Sequence, residues 1–308
     1  MANEKQKDTR VVFKDGFAKA KDWVVLASEL ASLADDEVDF TRAFTFKSGA
    51  WRHVDLEGVS VRAVQGAPPP ARGTYFLGRA GEVIHVSPDG TSTELLTDAG
   101  TDPGKLGYVN RMRAIAGTLY VCGTNGQVYR RNRSGWEHFD KEIRAANKDT
   151  GPNLYGIDGA MEESIFVVGD SGSVLRHDGE KWSREEPFTS EILTSVRCIS
   201  REEVYVCGRN GKLFRRQAVR WEDLSLRRGG VHFWSVEVFE QQAFLASSNG
   251  LYAIQQGKLL PVDTGLNPKP DAYRLHAVDG VLWSFGNHNL CFFDGKKWTY
   301  VKHPDNPE

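Results

Sequence analysis

Histidine, cysteine and carboxylate side chains are the residues with which proteins bind transition metals, and their spacing shows whether they can converge on one ion. The chain has eight histidines and four cysteines. The histidines are scattered without a His-x-His pair, and the cysteines lack the paired spacing of a zinc site. We therefore expect no metal and no other cofactor, and we interpret the cysteines as small buried apolar residues.

Pairs of glycines three residues apart recur along the chain, as in Gly123 and Gly126. Such a pair can cradle a phosphate when a helix begins directly after it, because the helix then supplies amide donors and a favourable dipole. The residues that follow these pairs have no helix pattern. We interpret the pairs as turns.

The elements that position the remaining candidates are copies of one degenerate repeat. Three segments show it most clearly: VYVCGTNGQVYRRNRSGWEHF ending at Phe139, IFVVGDSGSVLRHDGEKWSRE ending at Glu185, and VYVCGRNGKLFRRQAVRWEDL ending at Leu224. In each copy a glycine closes an apolar run, a second glycine follows three residues later, and a tryptophan follows thirteen residues after the first glycine. The tryptophans are Trp136, Trp182 and Trp221. A fixed period of this kind usually dictates the architecture of a chain.

Weaker copies extend the repeat to seven units. The marker residues that close the apolar runs are Ala27, Gly78, Gly123, Gly169, Gly208, Ser247 and Gly286, spaced 39 to 51 residues apart. We therefore predict one domain over residues 1–308. Its units lie at approximately 9–57, 58–98, 108–141, 153–187, 192–226, 232–264 and 271–303.

Each unit contains four short runs rich in Val, Ile, Tyr, Phe and Trp, separated by turn residues, and this predicts four strands, a to d. Asn125-Gly126, Asn210-Gly211 and Asn249-Gly250 favour tight b–c turns, because Asn and Gly tolerate positive φ. One such sheet cannot bury both faces alone, so the units must pack side by side into a ring. The predicted fold is all-β: a seven-bladed β-propeller of four-stranded antiparallel blades, without strand exchange between the termini.

One segment leaves the number of blades open. Phe17 to Asp36 contains VVLASELASLADDE, which is rich in good helix formers. The alternative is a six-bladed ring preceded by an N-terminal helical segment.

The units resemble the blades of WD40-like, Ycf48-like and BNR-type propellers, which share the apolar strand, the Gly-x-x-Gly turn and the Asp-Gly-x-x-Trp ending seen here as DGEKW and DGKKW. The BNR-type resemblance would imply a sialidase with an arginine triad, a tyrosine nucleophile with a glutamate, and an Arg-Ile-Pro segment. The chain has no Arg-Ile-Pro segment. Its arginines in strands c and d are expected to face the outer solvent; they are Arg130, Arg131, Arg176, Arg215 and Arg216.

One face of such a ring carries the d–a and b–c connections, which are the longer and more variable loops, and loops of this kind carry binding residues. Aromatic residues lie at the start of strand a, and the residue after the marker differs from blade to blade. Aromatics and arginines in such places suit a binding hot spot. The predicted partner-binding residues are Arg79, Tyr108, Arg111, Tyr155, Asp170, Arg209, Phe233, Trp234, Tyr273, Arg274 and His288.

These patterns predict a non-enzymatic protein-interaction module that binds one protein partner through this face. Two specific hypotheses follow. A bacterial immunity protein that neutralises a toxin is one, because a lone propeller without catalytic residues is a suitable rigid blocker, and an assembly factor, suggested by the Ycf48-like blades, is the other. The alternatives are a glycan-acting hydrolase or lyase that uses Asp170 and His288, and a small-ligand sensor that uses the central channel.

Charge and composition argue against other classes of partner. The net charge of −2 offers no general attraction for nucleic acid or anionic lipid. Met1 to Arg10 is polar, and no stretch approaches the roughly 18 apolar residues that a membrane helix requires. We therefore expect a cytoplasmic protein, monomeric by itself, that binds neither membranes nor nucleic acid.

Overall fold

Strands dominate the structure, as the short apolar runs predict. The computed structural model describes residues 10–33, 38–146, 151–185, 189–227 and 229–306. Within these ranges there are 28 strands, one short helix, α1 (Lys141–Ala146), and several three-residue 3-10 turns. No helix in the described ranges is long and apolar enough to cross a membrane.

The strands group into seven sheets. Blade 1 contains β1 (Val11–Ala20), β2 (Trp23–Leu30), β3 (Phe40–Lys47) and β4 (Ala50–Glu57). Blade 2 contains β5 (Val61–Gly66), β6 (Thr74–Gly78), β7 (Glu82–Ser87) and β8 (Gly90–Leu95). Blade 3 contains β9 (Val109–Ile115), β10 (Thr118–Gly123), β11 (Val128–Asn132) and β12 (Gly135–His138). Blade 4 contains β13 (Leu154–Met161), β14 (Ser164–Gly169), β15 (Val174–His177) and β16 (Trp182–Arg184).

The remaining three blades follow the same order. Blade 5 contains β17 (Leu193–Cys198), β18 (Glu203–Gly208), β19 (Leu213–Gln217) and β20 (Arg220–Asp223). Blade 6 contains β21 (Phe233–Phe239), β22 (Gln242–Ser247), β23 (Gly250–Gln255) and β24 (Lys258–Pro261). Blade 7 contains β25 (Arg274–Val278), β26 (Val281–Phe285), β27 (Leu290–Phe293) and β28 (Trp298–Tyr300). Every sheet is antiparallel and consists of four consecutive strands, which confirms the seven-bladed propeller without strand exchange.

Alternation along strand b explains why the blades form a ring. In β14, Ile165 and Val167 contact the apolar cluster shared with blade 3, whereas Phe166 and Val168 contact the cluster shared with blade 5. All four side chains are completely buried. Seven such clusters occur, one at each boundary between neighbouring blades. Each blade therefore buries both faces only because it has two neighbours.

The same alternation rules out the six-bladed alternative. Val24 and Leu26 of β2 pack against blade 7, and Val25 and Ala27 pack against blade 2. This two-sided burial overrides the helix propensity of the segment, and β1, β2 and a 3-10 turn at Ala31–Leu33 take the place of the predicted helix. The last residues of that predicted helix, 34–36, lie outside the described residues.

The repeat tryptophans join neighbouring blades. Trp182 Nε1 donates a hydrogen bond to the carbonyl oxygen of Phe139, which follows the last strand of blade 3, at 2.6 Å. Trp221 Nε1 likewise donates a hydrogen bond to Glu185 Oε2, which follows the last strand of blade 4, at 3.2 Å. The thirteen-residue spacing in the sequence therefore marks an inter-blade contact.

The marker glycines are required by close approach of strand a. Gly169 has an extended φ of −168°, which any residue adopts, but a Cβ there would lie 2.0 Å from the carbonyl oxygen of Asn153. A Cβ on Gly208 would lie 2.2 Å from the carbonyl oxygen of Ile192. The repeated glycine therefore marks a close backbone contact between the end of strand b and the residue before strand a.

The b–c turns have the predicted positive φ at the asparagine in two of the three Asn-Gly pairs. Asn125 and Asn210 have φ of 54° and 53°. In blade 6 the pair also marks the b–c turn, because Ser247 pairs with Gly250 across it, and there the positive φ, 110°, falls on Gly250.

The C-terminal segment closes the ring beside blade 1. The Asn306 side chain accepts a hydrogen bond from Val11 N and donates one to Val11 O, both at 3.0 Å. The His303 ring is 5% exposed and lies against the rings of Phe13, Phe44 and Trp51. Burial lowers the pKa of His303 to about 4. The neutral ring thus serves as an apolar plug between the first and last blades.

One expectation about the arginine side chains needs correction. Arg216 is 4% exposed and its guanidinium lies over the Phe166 ring of blade 4, so it packs between blades instead of facing solvent. Arg131 pairs with Glu94 of blade 2 at 2.7 Å. The four cysteines are free and buried, in accordance with their interpretation as apolar residues. They are Cys122, Cys198, Cys207 and Cys291.

Replacing Gly169 with alanine should lower the free energy of unfolding by about 1–3 kcal/mol or more, because the added methyl group collides with a carbonyl oxygen that the blade holds in place. Gly229→Ala is the matched control, since its Cβ would find no atom closer than 4.0 Å. Urea unfolding of both variants measures the difference, and equal stabilities would contradict the close-approach explanation.

Candidate functional site

The face that carries the d–a and b–c connections, here called the loop-rich face, has most of the long loops. Its d–a connections reach 15 residues, at 139–153, and 13 residues, at 96–108. The a–b and c–d connections at the other face have two to four residues, with the exception of 67–73. The described structure thus agrees with the loop distribution expected from the sequence.

In four blades, the same backbone hydrogen bond fixes the tip of the b–c turn. The backbone N–H of the residue after the marker glycine donates to the carbonyl that precedes strand a: Arg79 to Ser60, Thr124 to Tyr108, Asp170 to Asn153 and Arg209 to Ile192, at 2.9–3.0 Å. The backbone of each tip is therefore fixed, while its side chain changes from blade to blade. Fixed backbones reduce the entropy that binding a partner would cost.

Tyr155, Asp170 and Arg209 form a polar cluster between blades 4 and 5. The Asn153 side chain donates to Asp170 Oδ2 at 2.7 Å and holds that carboxylate in place. Burial and the Asp170 charge raise the pKa of Tyr155, and the Arg209 charge opposes them. Arg209 itself is exposed. This cluster offers a partner a neutral phenol, a carboxylate and a guanidinium close together.

An aromatic pair lies between blades 6 and 7. Trp234 and Tyr273 stack with ring centroids 6.0 Å apart and planes inclined by 26°. His232 lies 6.1 Å from Trp234 on the other side, and its Nδ1 accepts a hydrogen bond from Asn210 N. Both stacked rings are half-buried, so they are held by the blades while part of each ring remains accessible.

Arg79 and Tyr108 lie together between blades 2 and 3. The Arg79 guanidinium is 5.3 Å from the Tyr108 ring centroid, and its Nη2 is 2.8 Å from Asp39 Oδ1. This partly exposed group is the third group on the loop-rich face that contains an aromatic ring.

Arg111 and Arg274 lie at the centre of the ring, where both form ion pairs with Asp15. The seven strands a contact one another in order around the axis and so line the central channel. Arg111 and Arg274 both reach Asp15 Oδ1, at 3.2 and 2.9 Å, although the three residues belong to blades 3, 7 and 1. Asp15 is 3% exposed. Burial raises its pKa, but the two guanidinium groups and a hydrogen bond from Val64 N overcome this, and the pKa lies below its usual value.

A second ion-pair group completes the channel wall. Asp158 pairs with Arg113 at 2.9 Å and with Arg197 at 3.1 Å, and Arg197 also pairs with Glu237 at 2.6 Å. The space left between these side chains is about 20 Å³, enough for a single water molecule. Charged side chains thus occupy this part of the channel wall, and the pocket between them is too small for an organic ligand.

Sequence reasoning missed the three buried acids of this network. Asp15, Asp158 and Glu237 all lie in strands a. The sequence feature that could have revealed them is an acidic residue in a strand-a segment, at a position where the alternation of buried and exposed residues predicts burial. Buried acids of this kind require cationic partners, and strands a also supply the arginines.

Two further predicted residues lie away from the three groups. Phe233 is completely buried and packs against Tyr252, so its prediction as a partner-binding residue is wrong. His288 is exposed, its Nδ1 lies 3.0 Å from the carbonyl oxygen of Val11, and it lines a cleft of about 600 Å³ with Trp51 and Tyr300. His288 belongs to blade 7 and Asp170 to blade 4, so the structure does not bring together the acid and base of the hydrolase alternative. Within the described residues, no group of three potential ligands could hold a metal ion.

The ring of seven four-stranded sheets makes the chain a β-propeller, and solved structures of the same shape confirm that class. Virginiamycin B lyase from Staphylococcus aureus, crystallised with quinupristin, superposes with a TM-score of 0.71 at 8% identity over 93% of this chain and 94% of the lyase. YCF48 bound to a D1 peptide gives 0.66 at 16% identity over 96% and 94%. At these identities the likeness shows the fold alone.

The sequence comparison is more specific. No family model matches the chain. The chain is similar to the immune protein Tsi7 of Pseudomonas aeruginosa, with 27% identity over 292 residues that cover 93% of this chain and 95% of Tsi7. The similarity therefore covers nearly the full length of both chains.

Asp15→Asn should destabilise the protein by roughly 3–5 kcal/mol, because it leaves the charges of Arg111 and Arg274 without a carboxylate in the channel wall. Asp102→Asn, in an exposed loop, is the matched control and should change the free energy of unfolding by less than about 0.5 kcal/mol. Denaturant unfolding distinguishes them. A variant at position 15 as stable as the wild type would show that the network is not structural.

Proposed function

We propose that the chain is a bacterial immunity protein that binds one protein toxin through the loop-rich face and so neutralises it. The observation that carries this proposal is the similarity to the immune protein Tsi7 along nearly the full length of both chains. A match of that extent includes the loops as well as the blades, whereas the structural neighbours share the fold alone.

The arrangement of charge and rings on the loop-rich face supports binding of a protein. The aromatic pair of Trp234 and Tyr273, the cluster of Tyr155, Asp170 and Arg209, and the contact of Arg79 with Tyr108 lie between three different pairs of blades. Tyrosine, tryptophan and arginine are the residue types that dominate the energy of protein interfaces. Distributed around a rigid ring, they suit one large partner surface.

In the mechanism that fits this face, the ring covers a surface of the toxin and blocks it sterically and electrostatically. The fixed b–c tips give the ring a preorganised surface, so little conformational entropy is lost on binding. The mixed charges of Asp170 and Arg209 favour a partner with complementary charges and disfavour others. In this account the protein acts without catalysis, as a monomer, in the cytoplasm of the cell it protects.

The other hypotheses have less support. An assembly factor is supported by the fold alone, through YCF48. A glycan hydrolase or lyase would need an acid and a base within reach of one substrate, whereas Asp170 and His288 belong to blades 4 and 7.

A triple variant, Arg209→Glu with Trp234→Ala and Tyr273→Ala, should lose protection, because it reverses one charge and removes both stacked rings. The tagged chain is used to capture its partner from the source bacterium. The captured protein is then produced from an inducible promoter in a heterologous bacterial host, with and without the chain. We expect the partner to stop colony formation, the wild-type chain to restore it, and the triple variant to fail while unfolding at nearly the wild-type temperature.

The matched control lies on the opposite face and combines Lys181→Glu with Val219→Ala and Lys296→Ala, all at exposed positions. It should protect as the wild type does. A captured partner that is harmless to the host would contradict the immunity function, and full protection by the first triple variant would contradict the assignment of the face.

A further inference from the structure

A second concave surface lies on the face opposite the loop-rich face, between blades 1 and 2. It is a cleft of about 770 Å³, within the range of small-molecule sites. Phe17, Trp23 and Val25 of blade 1 form one wall, and the 67–73 connection forms the other. The proposed partner-binding residues do not line this cleft.

The wall formed by 67–73 is a structural exception. It is the a–b connection of blade 2 and has seven residues, whereas the a–b connections of blades 1, 3, 4, 6 and 7 have two. Its ends are held together by a hydrogen bond from Ala67 N to Gly73 O. Pro68, Pro69 and Ala71 line the cleft from this connection, so the added residues supply an apolar wall.

Two lysines at or beside the cleft have no anionic partner among the described residues. Lys47 Nζ lies 3.9 Å from the Trp23 ring centroid, and Lys19 Nζ lies 4.9 Å from it. Lys19 Nζ also donates a hydrogen bond to Gly73 O at 2.6 Å, which ties it to the opposite wall. Among the described residues neither lysine forms an ion pair, in contrast to Lys14 of the same blade, which pairs with Glu29 at 2.6 Å.

The electrostatics of this arrangement are unfavourable without a ligand. Burial and the neighbouring Lys47 charge lower the pKa of Lys19 to about 8. Trp23 Nε1 is buried and makes no hydrogen bond within the described structure. Arg72 lines the same cleft, and no carboxylate side chain does so. An anion would offset the repulsion of the two ammonium groups.

We propose that this cleft binds a small hydrophobic anion, such as an aromatic carboxylate, with the ring between the Pro68–Pro69 wall and Trp23 and the carboxylate at Lys19 and Lys47. The apolar walls supply most of the binding energy, and the two ammonium groups select the charged form of the ligand. The site lies apart from the proposed toxin-binding face, so it does not depend on that function.

The probe is 1-naphthoate, and its uncharged isostere 1-naphthamide tests the role of the charge. Isothermal titration calorimetry of the full chain should show saturable binding of 1-naphthoate and at least tenfold weaker binding of 1-naphthamide. The double variant Lys19→Met with Lys47→Met keeps the aliphatic stems. It should weaken 1-naphthoate at least tenfold and change the affinity for 1-naphthamide less than twofold.

Lys181→Met, an exposed lysine on the same face in blade 4, is the matched control and should bind 1-naphthoate as the wild type does. Thermal unfolding of the double variant shows whether it is folded, and a crystal structure with 1-naphthoate locates the ligand independently of any variant. Absence of saturable binding at 1 mM 1-naphthoate, equal affinity for the charged and uncharged probes, or unchanged affinity of the double variant would each overturn the proposal.

Discussion

The structure depends on one constraint: the second strand of every blade is apolar on both sides. In β14 the side chains of Ile165 and Phe166 point into different clusters, one shared with blade 3 and one with blade 5. In β2 the same alternation divides Val24 and Val25 between blades 7 and 2. Because no blade can cover its own second strand, the chain must continue until the last blade meets the first. The plug formed by His303 lies where that meeting occurs.

This constraint also separates the parts of the molecule that are fixed from those that can vary. Gly169 is held by the nearby Asn153 carbonyl, Trp182 by its bond to Phe139, and the channel arginines by buried acids. None of these interactions involves the side chains at the tips of the b–c turns. Those side chains can therefore change without loss of these interactions, which is the property that a recognition surface needs. On the opposite face, one lengthened connection forms a wall of the cleft between blades 1 and 2.

Much of the fold could be predicted because the repeat residues report local contacts. The spacing of glycine and tryptophan predicted seven blades of four strands, and the structure confirms that number. The channel network could not be predicted, because Asp15, Arg111 and Arg274 come from blades 1, 3 and 7 and meet only after ring closure. The sequence pattern places Phe233 and Trp234 on the same surface, yet neighbouring residues in a strand point to opposite sides. Without the exact register of strand a, the sequence could not show which of the two is buried.

The most direct test of the central claim is the stability of a two-blade fragment. Residues 151–226 contain blades 4 and 5, which share one apolar cluster and would expose the surfaces that normally contact blades 3 and 6. Far-UV circular dichroism and urea titration of this fragment, beside the full chain, measure whether two blades suffice. The account predicts a broad, non-cooperative transition for the fragment and a cooperative one for the full chain. A fragment that unfolds cooperatively as a monomer would contradict the claim that each blade depends on a closed ring of neighbours.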